Sequence, residues 1–252
     1  VVLFFVLVNK SMTQVFLSII IPAHNEESRL PQTLEQTDAF LQSQPYASEI
    51  IVVENGSTDR TLAIAQDYAG RIPGLTVLHN DQPGKGRAVQ AGMLTARGEF
   101  RFCADADLSM PITEVPRFLP PQLPNAPVVI ASREAPGAVR YDEPPYRHLT
   151  GRVFNTMVRW VALPGLQDTQ CGFKCFRADV VERVFPRQTI MGWTFDVEVL
   201  FIARQMGYAI TELPVPWYYN GGSKIRVLKH SWQMFLDLLT IRRNGRQGRY
   251  TR

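Results

Sequence analysis

Two carboxylates, Asp105 and Asp107, close the apolar run EFRFCADAD (99–107), and Pro111 follows shortly. Carboxylates held side by side repel unless a cation lies between them. A few hard oxygen ligands suit Mg²⁺ or Mn²⁺ shared with the phosphates of a ligand. The plainer alternative is an aspartate pair that caps the next turn. Upstream, PGKGR (83–87) places Gly84, Lys85 and Arg87 at the start of a helix-like segment. Backbone flexibility and cations at a helix start suit a diphosphate; the plainer alternative is an ordinary loop. The stretch is not a P-loop, since no Ser or Thr follows Gly-Lys, nor a dinucleotide fingerprint, since Val89 holds the last Gly position. Cys171 and Cys175 lack the further ligands a zinc site needs. The four histidines, at 24, 79, 148 and 230, show no ligand spacing and are not expected to be catalytic.

The elements that must position these groups are read from hydrophobic periodicity. FLSIIIP (16–22) is a β-branched run stopped by Pro22, and RLPQTLEQTDAFLQ after it carries Leu30, Leu34 and Leu41 at helical spacing. EIIVVE (49–54) predicts a second strand, and a helix follows with Ser57 or Thr58 as N-cap. LTVLHN, EFRFCADAD and PVVIAS (127–132) predict three more strands, with a helix over GRAVQAGMLTARG. Continuous apolar strands alternating with amphipathic helices mean an α/β fold, a mostly parallel central sheet with helices on both faces. Ligands of such sheets sit beyond the carboxyl ends of the strands. The polar stretches AHNEE, ENGSTD, NDQPGKGR and DAD gather there. Residues i and i+2 of a strand share a side, which would turn Asp105 and Asp107 together.

The chain has 252 residues, is 45% hydrophobic and carries a formal charge of +4, which suits one large domain or one domain with a tail. Three cysteines argue for a reducing compartment, hence a cytoplasmic setting. The charge is uneven. Residues 221–252 hold eight Lys/Arg against one acid, Asp237, and the rest is mildly acidic. The opening VVLFFVLV is too short to span a bilayer and lacks the basic flank and cleavage site of a signal peptide. Met12 is a candidate start, and the run is alternatively the end of an anchor.

Four stretches together, SIIIPAHNEE (18–27), IIVVENGSTDRT (50–61), GKGRAVQAG (84–92) and ADADL (104–108), resemble the nucleotide-sugar domain of family 2 glycosyltransferases, with its GT-A fold. Further on, DTQCGFKCF (168–176), WTFDVEVLFIARQMGY (193–208) and GGSKIR (221–226) resemble the polyprenyl-phosphate sugar synthases, especially the dolichyl-phosphate glucose branch. The likeness runs from Phe16 to about Arg243. Two departures stand out. The family has two acids before Gly-Ser, whereas this chain has Glu54 and Asn55, which bears on base preference. The Gln-x-x-Arg-Trp signature of processive synthases is missing, because Thr156 opens TMVRW (156–160).

The resemblance implies a role for each candidate. Asp107 would hold Mg²⁺ or Mn²⁺, with Asp105 sharing the metal or reaching the ribose. Pro22, Ala23, Glu26 and Glu54 would line the nucleoside, and Gly84 and Lys85 the diphosphate. Glu26 is alternatively a first-turn acid favoured by the helix dipole. Arg133 and Arg147 would face phosphates of donor or acceptor. Asp168 would line the acceptor side as base or as guide, or else cap a turn. Gln170 would touch sugar or acceptor. Asp196 is expected to face the site and Glu198 solvent, since residues two apart on a helix do not share a face. Trp193 would stack on the sugar or lie in the core. Ser223 and Lys224 would form a loop over the diphosphate, or a basic linker.

The implied reaction is transfer of a hexose, glucose favoured, with inversion, from a nucleotide-sugar (UDP-glucose or GDP-mannose) to a polyprenyl or dolichyl phosphate. The alternatives are a glycan hydroxyl acceptor, a GDP-mannose-dependent polyprenyl-phosphate mannosyltransferase, and a non-catalytic nucleotide- or lipid-binding module. The expected organisation is an extension over 1–15, a GT-A domain over 16–228, and an amphipathic helix with a basic tail over 229–252. In that helix Trp232, Phe235, Leu236 and Leu239 share a face next to Arg242, Arg243, Arg246 and Arg249. The pattern suits peripheral contact with the cytoplasmic face of a membrane, or packing on the core. Few aromatics interleave the basic residues, so no nucleic-acid partner is expected.

Overall fold

The computed structural model describes residues 14–220 and 227–250. In chain order its elements are β1 (Leu17–Ala23), α1 (Leu30–Gln42), β2 (Ser48–Asn55), α2 (Thr61–Ala69), β3 (Leu75–Asn80), α3 (Lys85–Thr95), β4 (Phe100–Cys103), β5 (Val128–Ser132), β6 (Val139–Tyr141), α4 (Pro145–Val161), β7 (Lys174–Arg177), α5 (Ala178–Val184), α6 (Phe195–Gln205), β8 (Ile210–Pro214), β9 (Pro216–Tyr218) and α7 (Val227–Arg246). Seven strands form one sheet in the order β3-β2-β1-β4-β7-β5-β8, and β6 and β9 pair separately. Within the large sheet only β7 runs against its neighbours. The expected mostly parallel α/β fold is therefore observed.

The continuous apolar strands are buried on both faces, and their alternation divides the core in two. Ile20, Ile51 and Val53 join Phe176, Phe195 and Leu238 on one face. Ile19, Ile21, Ile50 and Val52 join Phe102, Phe118 and Phe173 on the other. The second layer is keyed by edge-to-face rings: Phe102 lies 5.2 Å from Phe118 and 5.1 Å from Phe173. α7 packs on α4 and α6, and its Met234, Leu238 and Ile241 belong to the first layer together with Tyr250.

Two local expectations need correction. Pro22 does not stop β1: the strand continues to Ala23, with Pro22 opposite Val53 and Ala23 opposite Glu54. The ladder to β4 ends at Ile20, so the missing N–H of Pro22 falls beyond that pairing and costs no bond. Ser57 and Thr58 do not cap α2. That helix starts at Thr61, whose N–H donates to Asp59 at 2.9 Å. Ser57 and Thr58 instead stitch the loop after β2 to the loop after β1, where Asn25 N–H donates to Ser57 Oγ and Thr58 N–H to Asn25 Oδ1.

Phe102→Ala removes the ring shared by both edge-to-face contacts in a fully buried layer. The expected loss is about 3–5 kcal/mol, seen as a lower urea midpoint with an unchanged slope.

Candidate active site

Because every strand of the large sheet but β7 shares one direction, the ends of β1 to β5 deliver their loops to one edge. The antiparallel β7 begins at that edge, so the residues leading into it, 168–173, arrive there too. Asp105 and Asp107 are on this edge, but not on a strand. β4 ends at Cys103, the Ala104 N–H makes the last bond to Ile20, and a turn follows in which Leu108 N–H donates to the Asp105 carbonyl at 3.2 Å. Strand alternation therefore does not aim the two aspartates; the turn does.

Lys85 Nζ lies 2.7 Å from Asp105 Oδ1 and 5.5 Å from the Trp193 ring. Asp107 accepts Ser109 N–H at 3.0 Å, and Asn220 donates to the Asp107 carbonyl. Burial pushes Asp105 up, but the charge and hydrogen bond of Lys85, joined by the charges of Lys174 and Arg133, leave the carboxyl below its ordinary value. Asp107 goes the other way, raised by burial and then by the charge of Asp105. Two glycines make room. A Cβ on Gly172 would lie 2.1 Å from Asp105 Oδ2. Gly84 has φ +154°, and its Cβ would meet the Met191 carbonyl at 2.7 Å; only glycine suits that backbone.

A second ion pair backs the first. Lys174 is buried, 2.7 Å from Asp196 Oδ1, and donates to the Cys171 carbonyl. Burial raises Asp196, and Lys174 and Lys85 only partly offset that. Lys174 was not singled out from the sequence. The signal was there: a lysine inside the apolar run CGFKCF must find a buried partner. Glu198 does not face solvent as expected. It is fully buried and accepts from Thr189 N–H, Ile190 N–H, Thr189 Oγ1 and Tyr250 Oη. Asp196 and Glu198 sit in the first turn of α6, and both are buried. Cys171 and Cys175 are buried free thiols.

At the β1–β3 end, Glu54 lies between Ala23 and His79 on adjacent strands. It is buried and accepts Ser57 N–H at 2.5 Å. His79 bridges Glu54 and Asp81. Glu26 bonds Arg29 at 2.6 Å, and its N–H donates to Thr61 Oγ1. Asn55 Oδ1, Asn80 Nδ2 and Arg87 Nε are buried with no partner among the described residues. Unpaired buried polar atoms are costly, and these three flank the loops after β2 and β3.

At the β5 end, Arg133 and Asp168 form a two-pronged pair at 2.6 and 2.9 Å, and the Arg133 N–H adds a third bond at 3.1 Å. Burial would raise Asp168, but the Arg133 charge and bonds hold it at about 2. Glu212 accepts the N–H groups of Gln167 and Asp168, and Gln170 N–H donates to Asp168. Trp217 lies 5.5 Å from the Arg133 guanidinium and 5.9 Å from that of Arg140. A cavity of about 480 Å³ opens here between Arg133, Glu134, Arg140, Glu143, Pro145 and His148. Arg140 bonds Glu134 and Glu143, each at 2.5 Å. Sequence reasoning missed Arg140 and Trp217, which isolated positions do not betray. The Arg147 side chain, Ser223 and Lys224 lie outside the described residues.

A mostly parallel sheet edge with an Asp-x-Asp turn, a cationic loop and a second pocket of paired arginines is the arrangement of a nucleotide-sugar transferase of the GT-A type. The chain belongs to glycosyl transferase family 2, whose model matches residues 18–185. Two dolichyl-phosphate beta-glucosyltransferases of Trichomonas vaginalis are 33% and 35% identical to it, over 96% and 90% of this chain and 75% and 73% of theirs. Among solved structures, glucosyl-3-phosphoglycerate synthase from Mycobacterium tuberculosis, in complex with Mn²⁺, UDP-glucose and phosphoglyceric acid, superposes with a TM-score of 0.63. The match has 18% identity and covers 94% of this chain and 80% of that one.

The depressed Asp168 contributes stability that is present above about pH 4 and is lost as pH falls toward 2. With an ordinary value of 3.8, the contribution is about 2 kcal/mol. Asp168→Asn leaves the half-buried Arg133 without its partner and should cost about 3 kcal/mol at neutral pH. The gap to wild type should narrow by about 2 kcal/mol between pH 5 and pH 2, measured by urea unfolding across that range.

Proposed function

We propose that this protein transfers glucose, with inversion, from UDP-glucose to a dolichyl or related polyprenyl phosphate. The observation that carries the reading is the state of Asp168. It is the acid on the acceptor side, yet it is locked to Arg133 and held near 2, so it is a poor base. An acceptor that arrives as an anion needs none. The second ionisation of a phosphomonoester lies near pH 6, so a lipid phosphate is largely charged at neutral pH, whereas a sugar hydroxyl is not. The likeness to dolichyl-phosphate beta-glucosyltransferases over most of the chain supports the same acceptor and favours glucose over mannose from GDP-mannose.

The residues divide the work as follows. Pro22, Ala23, Glu26 and Glu54 receive the nucleoside, with Asn55, Asn80 and Arg87 offering the unpaired polar atoms noted above. Gly84 and Lys85 face the diphosphate. Asp107, joined by Asp105, is the donor set that fits a divalent cation, because two carboxylates two residues apart in one turn offer hard oxygen ligands whose repulsion a cation would relieve. When bound, such an ion supplies Lewis-acid stabilisation of the departing diphosphate. Arg133, Arg140 and Arg147 serve the acceptor phosphate, with Asp168 fixing the Arg133 fork. Gln170 and Trp193 flank the sugar, Asp196 is held by Lys174 to do the same, and Ser223 and Lys224 close over the donor. The cation of Lys85 and the Arg87 side chain offset the charge that builds on the leaving group.

No helix among the described residues is long and apolar enough to cross a membrane. Peripheral contact is favoured by the outer faces of α4 and α7, which pack on each other. Trp160 and Trp232 are 84% and 67% exposed there, joined by Val153, Leu236 and Leu239. Arg242, Arg243 and Arg246 sit at the end of the α7 face, as an interfacial helix near anionic lipid requires.

The test is transfer of labelled glucose from UDP-glucose to dolichyl phosphate with Mg²⁺ or Mn²⁺, reading label in the organic phase. Chelator should abolish it, and Asp107→Asn should lower turnover by about 100-fold or more. Donor hydrolysis with no labelled lipid would remove the lipid acceptor; transfer only from GDP-mannose would remove the glucose assignment. Separately, Trp160→Ala with Trp232→Ala should reduce binding to vesicles of anionic lipid, scored by co-sedimentation, while leaving the melting temperature within a few degrees of wild type because both side chains are exposed.

A further inference from the structure

His79 sits at the open end of the nucleoside region with a carboxylate on each side. Its Nδ1 is 2.5 Å from Glu54 Oε2 and its Nε2 is 2.9 Å from Asp81 Oδ1. Ionised carboxylates only accept hydrogen bonds, and a neutral imidazole has only one N–H. Both bonds therefore exist together only when both ring nitrogens carry protons. Glu54 is buried on β2, whereas Asp81 lies at the surface on the loop after β3. That loop is fixed against the β2 loop, since a Cβ on Gly56 would come within 2.9 Å of the Asp81 carbonyl.

The Glu54 carboxylate has about four lone-pair positions. Ser57 takes two, through its N–H and its hydroxyl, and His79 takes one on Oε2. The position left can accept an N–H of a base or an O–H of a ribose. We propose that His79, as an imidazolium clamped between Glu54 and Asp81, is a positioning residue for the nucleotide donor: it orients the Glu54 carboxylate and offsets two negative charges beside an anionic ligand. The proposal rests on the reading of Glu54 as a nucleoside contact.

The surroundings leave this assignment to the two carboxylates. Among the described residues the ion pairs of His79 are with Glu54 and Asp81 alone. Of the elements packed on β3, α2 brings Asp67, paired with Arg71, and α3 brings Lys85, paired with Asp105, and Arg87. The hydrogen bonds to Glu54 and then Asp81 raise the imidazole above its ordinary value, so the cation persists to higher pH than in a free imidazole. The sign follows. Donor affinity is full while His79 is charged and falls as pH rises through its raised value, when one bond and the compensating charge are lost.

The experiment is titration calorimetry of UDP, with saturating Mg²⁺, from about pH 6 to pH 9 on wild type, His79→Gln, His79→Lys and Asp81→Asn. Wild type should weaken by about 3- to 10-fold across the alkaline limb, the scale of one charge-assisted bond near the surface. His79→Gln should be weak at all pH and keep only the pH dependence that the ionisation of UDP itself brings, the baseline against which the wild-type loss is read. His79→Lys, charged throughout the range, should bind tightly without the alkaline loss. Asp81→Asn should move the wild-type midpoint to lower pH. In turnover assays the effect should fall on the KM for donor and spare kcat. Equal pH profiles for wild type and His79→Gln would overturn the role of His79 alone. No UDP binding by wild type at any pH would overturn it together with the nucleoside reading on which it rests.

Discussion

The constraint on which the site depends is that charges brought into the sheet edge must be paired there. Lys174 with Asp196 is a buried ion pair and Lys85 with Asp105 a half-buried one, and removing one member of such a pair leaves an uncompensated charge in a poor solvent. The partners come from different parts of the chain: α3, the turn after β4, the start of β7 and the start of α6. Pairing therefore ties four elements to one point. The room for it is made by what is absent, since Gly172 carries no Cβ where Asp105 Oδ2 lies.

The antiparallel strand explains how the second half of the chain reaches a site founded by the first. β7 is inserted between β4 and β5 against their direction. Its amino end therefore lies at the carboxyl edge of its neighbours, and the segment 168–174 is delivered beside the Asp-x-Asp turn. Asp168 then meets Arg133, which leaves the end of β5. A parallel strand in that place would carry the same residues to the far edge, away from the donor loops.

The two ends of the edge are built differently. Around β1 to β3, several polar atoms are buried and unpaired, the condition of a surface that expects a polar ligand. Around β5, the arginines are already bonded to carboxylates: Arg133 to Asp168, Arg140 to Glu134 and Glu143. Such arginines are held in a fixed geometry, and their charge is largely balanced before any phosphate arrives. The cavity lining reaches Pro145 and His148 at the start of α4, and α4 and α7 carry the exposed tryptophans Trp160 and Trp232.

The sequence by itself determined the alternating strands and helices, the edge on which the polar loops gather and the family. These are properties of period and local chemistry: a β-branched run such as SIII makes a buried strand wherever it stands, and ADADL is legible without a partner. Local reading failed where a neighbour decided the outcome. Pro22 stays in its strand because the ladder on its other side has already ended. Ser57 and Thr58 serve another loop because Asn25 is there to bond them. Glu198 is buried because Tyr250, fifty-two residues on, supplies a hydroxyl. The pairing of Lys174 with Asp196, the lock between Asp168 and Arg133, and the bridge of His79 between two carboxylates were decided only by tertiary structure. Each depends on a distance between residues far apart in the chain, which neither composition nor spacing encodes.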